Sequence, residues 1–519
     1  MQAEKNQSDS TQLPIETLSK VAKNAGSGAG GKLLFYLFNY LAILLITRAI
    51  GASNYGLVVL AYSMVVVVAM AGSLGLNEGI VRYGSFYYGK RELKKVKGTL
   101  ISSLRVTTLS SLILTVSLFF TAKFWAVKLF SKPELTPLLK IFALAIIPLV
   151  LERVLTAGLQ AIQLIKFRIF IEYIIRPLLL FVSILILVVI FPLGINGVIS
   201  SYLISIYLGF FLAIYYAIKF LHSLSEQSYS PIREYRKLMS FSLPLMGVGF
   251  LTLVIERIDI FMLGYFKSTG VVGIYGAAAR AAFLVLLPFN SFAIIFLPLV
   301  AAYHGQQRDK KIILLFKTVT KEITTFSLPL WLFFCLFSQE IMMFFGRGFS
   351  TGSLCLLILS SGWMFQNFTG PANGLIMMTG HSRINLINYI IIIVFNFVLN
   401  LFLIPKYGIT GAALATACSM FLIGLVRTIE VYLIFKTHAY RRDSYKPFLA
   451  IIIVGIIIFF LKAGLVMLKT SIWLQLICCS FGLLTVYFSL LFLLKLSYDD
   501  LIIIGLIKKK ISSLIPGHR

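Results

Sequence analysis

Several arginines stand inside long apolar stretches, where a charge needs a reason. Arg153 is near the middle of 135–163, a stretch long enough to cross a bilayer. A charge at the centre of a membrane helix costs about 2.5–3.5 kcal/mol on insertion scales. Arg48, Arg105, Arg257 and Arg280 are placed similarly, so the five together burden insertion by roughly 15 kcal/mol. Such residues face a protein interior or a wet cavity. A long side chain near a helix end can snorkel, which relieves Arg48 and Arg105 but serves Arg153 and Arg280 poorly. The guanidinium fork makes bidentate, charge-assisted bonds to phosphate. Arg153, Arg257 and Arg280, with Arg48 and Arg82, are therefore the candidate cations of an anion-binding lumen.

The acids are fewer. Glu256 and Asp259 are three residues apart and share a helix face, whereas Glu152 and Arg153 are adjacent and point about 100° apart. Asp259, Glu256 and Glu152 are the candidate coupling-ion or ion-pair residues. Glu78–Arg82 and Glu172–Arg176 are spaced i, i+4, and Arg427–Glu430 i, i+3, so each pair is expected to neutralise itself along its own helix. Lys462 is expected to snorkel.

These charges are positioned by an all-α integral membrane architecture. Hydrophobic residues make up 59% of the 519-residue chain and charged residues 13%, where a soluble domain carries about 25% charged. The mean hydropathy is +0.93. Fourteen spans are expected, at 33–50, 55–76, 99–121, 135–163, 169–191, 196–218, 237–265, 271–302, 312–338, 352–379, 384–404, 409–435, 448–468 and 472–494. With an even count both termini share a side. Lys and Arg number 28 on that side and 7 on the other, so the bias predicts both termini in the cytoplasm. The net charge of +28 reads as this topology signal and as attraction to anionic lipid headgroups, not as nucleic-acid binding. The first 25 residues lack an apolar run, so no cleaved leader is expected, and 501–510 is too short to span and is expected to lie along the interface.

The chain repeats. Gly158-Leu-Gln-Ala-Ile-Gln-Leu-Ile-Lys-Phe-Arg168 parallels Gly374-Leu-Ile-Met-Met-Thr-Gly-His-Ser-Arg383. Phe191-Pro-Leu-Gly-Ile-Asn-Gly197 likewise parallels Ile404-Pro-Lys-Tyr-Gly-Ile-Thr-Gly411. The offsets, 216 and 214 residues, equal six spans. An even number of spans keeps the copies in one orientation, so two six-helix lobes related by an axis along the membrane normal are expected, with the substrate path between them. The organisation follows: a cytoplasmic tail at 1–25, a first lobe at 26–220, a second at 237–436, two further spans at 448–496 and a basic cytoplasmic tail at 497–519.

Catalytic signatures are missing. There is no P-loop, no HExxH and no metal-ligand spacing, the five cysteines follow neither disulfide nor zinc spacing, and no loop is long enough to fold as an enzyme domain. No cofactor, no metal and no enzyme activity are expected. Prolines at 148, 177, 244, 288, 298, 329 and 371 fall inside spans, where neighbouring groups can satisfy the freed backbone.

Gly51-Ala-Ser-Asn-Tyr-Gly56, then Gly72-Ser-Leu-Gly-Leu76 and Ile80-Val-Arg82, resemble the N-terminal signature of Wzx-like polysaccharide flippases. These belong to the multidrug/oligosaccharidyl-lipid/polysaccharide exporter superfamily. Asp259-Ile-Phe-Met-Leu-Gly264 followed by Val272-Gly-Ile-Tyr-Gly-Ala-Ala-Ala279 is similar to that family's second-half motif, and the Pro405 to Ala412 turn fits it too. The resemblance covers about residues 20–440. It implies two lobes in a V, working by alternating access on a lipid-linked oligosaccharide, usually carried on undecaprenyl pyrophosphate, for cell-surface polysaccharides of the O-antigen or lipopolysaccharide kind. It also implies the cytoplasmic (inner) membrane as location, membrane lipids as partners, H+ or Na+ as coupling ion, and a polysaccharide polymerase as a further partner. Asp259 falls at an acidic family position and Arg82 at a basic one, while Arg153 and Arg280 match no family motif. The last two spans resemble a pair that some relatives use to hold a lipid tail. Three alternatives remain open: a cation-coupled multidrug antiporter of the same superfamily, which would want an acidic lumen; a lipid II-type peptidoglycan flippase; and a non-transporting membrane scaffold, in which the arginines would be interhelical glue.

Overall fold

A computed structural model of the chain describes residues 15–222, 232 and 234–494; residues 1–14 of the tail expected at 1–25, and the tail expected at 497–519 with the interfacial segment, lie outside them, while 15–25 are helical. The described part is helical throughout. In chain order the helices are α1 (Ile15–Gly72), α2 (Leu76–Gly89), α3 (Leu93–Lys123), α4 (Leu135–Ala143), α5 (Ile146–Ala161), α6 (Ile165–Ile190), α7 (Gly194–His222) and α8 (Tyr235–Phe266). They continue with α9 (Thr269–Ala282), α10 (Leu287–Gly305), α11 (Asp309–Phe344), α12 (Ser353–Phe368), α13 (Ala372–Met378), α14 (Ser382–Phe435), α15 (Tyr445–Met467) and α16 (Ile472–Leu493).

Among the described residues, eleven helical stretches are long and apolar enough to cross a membrane. One of them, Leu34–Gly72, holds 39 residues, about 58 Å of helix against a hydrocarbon core of about 30 Å. It doubles back at Gly51, whose φ of 72° lies in the left-handed region open to glycine. Arg383–Phe435 does the same at Gly408, with φ 57°. Each therefore supplies two spans. With the broken pair α4–α5, the arrangement is consistent with fourteen.

The repeat is visible in the turns. Gly194 and Gly408 both have φ 57°. A Cβ on Gly197 would stand 2.7 Å from the Leu187 carbonyl oxygen, and one on Gly411 2.2 Å from that of Leu403. The same tight helix–helix connection thus closes both copies.

The basic loop expected between the second and third spans begins only at about Gly89: before it Leu76–Gly89 forms helix α2, the helix that the i, i+4 spacing of Glu78 and Arg82 implies. Ile80, Gly84 and Tyr87 fall on one buried face, with Gly84 so close to α5 that a Cβ would meet Ala161 at 2.8 Å. A loop that buries an apolar face has a reason to be helical.

The two halves of the chain meet along distinct seams. At the Gly51 end, α1 and α9 pack backbone to backbone: a Cβ on Gly56 would lie 1.8 Å from the Thr269 carbonyl oxygen, and one on Gly273 2.1 Å from that of Ala52. Cations close the same end. Arg48 donates to the Phe344 carbonyl at 2.7 Å, and Lys132 donates to Phe130 at 3.0 Å and to the Gly264 carbonyl. Both supply donors to helix-terminal carbonyls, where the macrodipole favours positive charge. At the opposite end α2 and α3 lie against the start of α8. The Arg82 guanidinium sits 4.1 Å over the Phe241 ring, and Tyr87 donates to Glu234 while accepting from Lys237 at 2.9 Å.

Helices α15 and α16 pack on α11. They are pinned near both ends, by Lys321–Asp443 at 3.0 Å and Lys462–Glu340 at 2.7 Å. Lys462 therefore does not snorkel; it also donates to the Leu336 carbonyl and lies 4.5 Å from the centre of the Phe337 ring.

Candidate functional site

Between the halves lies a cavity of about 350 Å³, within the range that holds small ligands. Helix α1 supplies Tyr36, Asn39 and Tyr40, α8 supplies Glu256, Arg257 and Asp259, and α9 supplies Arg280. Trp363 of α12 and Asn396 and Thr416 of α14 complete its polar and aromatic lining.

Two predicted cations are in the cavity wall. Arg257 and Arg280 make no hydrogen bond and no ion pair among the described residues, and the Arg257 Nε is buried without a partner. Arg153 is outside the cavity lining. Its Nη1 points at the Met70 sulfur, 3.4 Å away, and no carboxylate of the described residues lies within ion-pair distance of it. Tyr62 connects the groups: it lies within electrostatic reach of Arg153 and Arg176 from the first half and of Arg257 and Arg280 from the second. Its ring packs 4.9 Å from Tyr202, centroid to centroid. Arg48 and Arg82 stand apart, in the seams at opposite ends.

The expected local pairs are not the ones that form. Glu172 pairs with Arg168 at 3.1 Å and accepts from Thr156 at 2.9 Å. Arg176 turns instead to Glu152, 3.5 Å away, across α6 and α5. Glu152 is almost fully buried, so the pair exchanges an unfavourable isolated charge for a neighbour of opposite sign. Glu78 accepts from Asn77 at 3.2 Å rather than pairing with Arg82. Glu430 accepts from Asn388 at 2.9 Å, which leaves the buried Arg427 Nε without a partner. Helical spacing permits a pair, but a competing partner, on the same helix for Glu172 and Glu78 and on α5 for Arg176, takes its place.

The acids differ sharply in surroundings. Asp259 is buried and accepts from Tyr275 at 2.5 Å, Thr416 at 2.5 Å and Asn400 at 2.7 Å. Asn400 also donates to Asn396 at 2.9 Å. The carboxylate is therefore held by neutral groups from α9 and both arms of α14. Glu256 is exposed into the cavity and has no hydrogen-bond or ion-pair partner among the described residues. Sequence reasoning missed Arg176, Asn396, Asn400 and Trp363. A signal existed for two of them: Asn396 and Asn400 are spaced i, i+4 in an otherwise apolar span, which puts two amides on one face.

Several groups outside the spans are perturbed, Glu234 among them. The Tyr87 hydroxyl, helped by the ammonium groups of Lys237 and Lys95, holds the Glu234 carboxyl below its ordinary range against some desolvation.

Among the described residues, eleven helical stretches long and apolar enough to cross a membrane, an internal repeat and a polar cavity between the halves define a multi-pass membrane protein. The chain belongs to the polysaccharide biosynthesis protein family, whose pattern matches residues 21–304, more than half of its length. It is 26% identical over 162 residues to the "Probable low-salt glycan biosynthesis flippase Agl15" of Haloferax volcanii, 31% of this chain and 34% of that one. The matched region spans between a third and two fifths of the length of the curated relatives. Among solved structures, it is similar to the lipid II flippase MurJ in an inward closed conformation, with a TM-score of 0.70, 19% identity, and 92% of this chain and 99% of that one covered. It is also similar to an inward-facing multidrug resistance MATE family transporter of the MOP superfamily, with a TM-score of 0.63, 16% identity, and 78% and 94% covered. The fold is that of these transporters.

Proposed function

We propose that this protein is a flippase that moves a lipid-linked oligosaccharide from the cytoplasmic to the outer leaflet of the cell membrane by alternating access. The observation that carries the reading is the pair Arg257 and Arg280, two guanidinium groups without partners in a cavity shared by two lobes. A pyrophosphate supplies the missing acceptors. The low-dielectric surroundings strengthen that attraction; of the two acids in the same lining, Asp259 is already held by neutral donors, and Arg257 and Arg280 disfavour a cationic cargo beside them. The named glycan flippase among the relatives supports a sugar-bearing cargo, and the family pattern supports polysaccharide assembly.

Residues 26–220 and 237–436 act as the moving lobes, with both termini in the cytoplasm and the outer seam closed at Gly56 and Gly273. Asp259 is the candidate coupling site for H+ or Na+: it is a buried carboxylate beside the cavity whose neighbours, Tyr275, Thr416 and Asn400, are all neutral. Arg153 and the Glu152–Arg176 pair stand on the first lobe, across Tyr62 from the cavity arginines. A polysaccharide polymerase is the natural downstream partner.

The test uses purified protein in proteoliposomes carrying a fluorescent undecaprenyl-pyrophosphate-linked oligosaccharide. Wild type moves the lipid across the bilayer, and Arg257→Ala and Arg280→Ala do not, although both fold. Movement that survives both substitutions removes the arginine pair from the mechanism and with it the reading.

A further inference from the structure

A pure anion site leaves part of the cavity unexplained. Glu256 presents a carboxylate, which only accepts hydrogen bonds, and no described residue donates to it. Trp363 presents an indole N–H, which only donates, and it has no acceptor among the described residues. Asn39 turns its amide N–H to the Phe35 carbonyl at 2.8 Å, which leaves its Oδ1 as another acceptor. Beside them runs a line of rings. Trp363 meets Phe283 edge to face at 5.5 Å, and Phe283 lies 6.3 Å from Tyr36.

Ligand chemistries can be matched to that set. A diphosphate offers only acceptors: it would satisfy Trp363, leave Asn39 unanswered and meet Glu256 with like charge. A cation would satisfy Glu256 but meet Arg257 and Arg280. A neutral polyol carries groups that both donate and accept, so it answers all three, and the weakly positive C–H face of a sugar ring suits the negative face of an aromatic ring.

We infer that Glu256, Asn39 and Trp363, with the Tyr36–Phe283 rings, form a carbohydrate-binding wall that recognises the first sugar of the cargo, distinct in role from the arginines that take its phosphates. The inference rests on the flippase reading above and assigns the division of labour within that cavity. Glu256 and Trp363 then decide whether a lipid diphosphate carries the right head. The arginines cannot make that distinction, because phosphate is common to glycosylated and bare lipid.

Two probes separate these roles: a short-chain polyprenyl diphosphate, and the same lipid bearing one neutral hexose, drawn from a panel of glucose, galactose and N-acetylglucosamine. Each is titrated by isothermal calorimetry into full-length protein in nanodiscs. Wild type binds at least one glycosylated probe about tenfold more tightly than the bare lipid, the gain expected from one or two hydrogen bonds to a charged group. Glu256→Gln and Trp363→Leu each remove most of that preference, because each weakens the glycosylated probe more than the bare lipid. Arg280→Ala weakens both probes alike. Equal wild-type affinity for bare and glycosylated lipid across the panel, or variants that weaken both probes equally, overturns the carbohydrate wall while leaving the phosphate site standing. Failure of wild type to bind any of the probes removes the flippase reading, and the wall with it.

Discussion

Replacing Arg280 with alanine separates a ligand site from a structural ion pair. In the structure Arg280 has no hydrogen bond and no salt bridge among the described residues, and its guanidinium faces the cavity. Removing it breaks no protein contact and relieves the desolvation of a charge. Removing one partner of a buried ion pair instead costs about 3–5 kcal/mol. The expected result is therefore an unchanged or slightly raised melting temperature, followed by tryptophan or dye fluorescence in detergent. Ligand affinity moves the other way. A hydrogen bond to a charged group is worth about 1.5–3 kcal/mol, so losing one weakens lipid diphosphate binding by roughly 10- to 150-fold. Binding calorimetry with the bare lipid measures it. A variant that melts several degrees lower yet binds the lipid normally would refute the reasoning, since it would make Arg280 a structural residue with an overlooked partner.

Other expectations follow from the same contacts. Arg176→Met leaves Glu152 buried and uncompensated, and should lower stability by about 3–5 kcal/mol; adding Glu152→Gln should restore much of it, as melting of the single and double variants would show. Gly273→Val forces a side chain onto the Ala52 carbonyl across the α1–α9 seam. Overpacking of that kind costs about 1–3 kcal/mol, and it should shift the protein towards opening at that end, seen as faster labelling of a cysteine placed at Ser53. Glu234 contributes through its depressed carboxyl. Because the folded value lies below the unfolded one, near 4.3, its stabilisation is present at neutral pH and disappears as the pH falls through the folded value. Wild type and Glu234→Gln should therefore differ in melting temperature above about pH 4.5 and converge in stronger acid.

Much of the architecture was legible in the chain. Apolar length set the spans, and the basic loops set an expected sidedness. The Gly and Pro turns at 191–197 and 404–411 exposed a repeat whose backbone the structure reproduces at Gly194 and Gly408. These features are local or periodic, and a bilayer makes them decisive: backbone polar groups must be satisfied within each helix, so apolar runs of sufficient length have little choice. Helix α2 was legible only in the i, i+4 spacing of Glu78 and Arg82; its extent and its packing escaped because the contact of Gly84 with Ala161 is not local.

The partners of charges were a different matter. Sequence spacing offered Glu172 to Arg176, but the fold gave Arg168 to Glu172 and Glu152 to Arg176. It offered Asp259 as one more acid on a helix face. Only packing showed that α9 and two arms of α14 enclose it with Tyr275, Thr416 and Asn400. It likewise left Arg257 and Arg280 with nothing to bind and put Glu256 and Trp363 in the same cavity. The sequence determined that charges had to be buried in a membrane protein. Which of them neutralise one another and which wait for a ligand was decided by tertiary structure, because an ion pair needs its two groups within a few ångströms, and that distance is set by helices far apart in the chain.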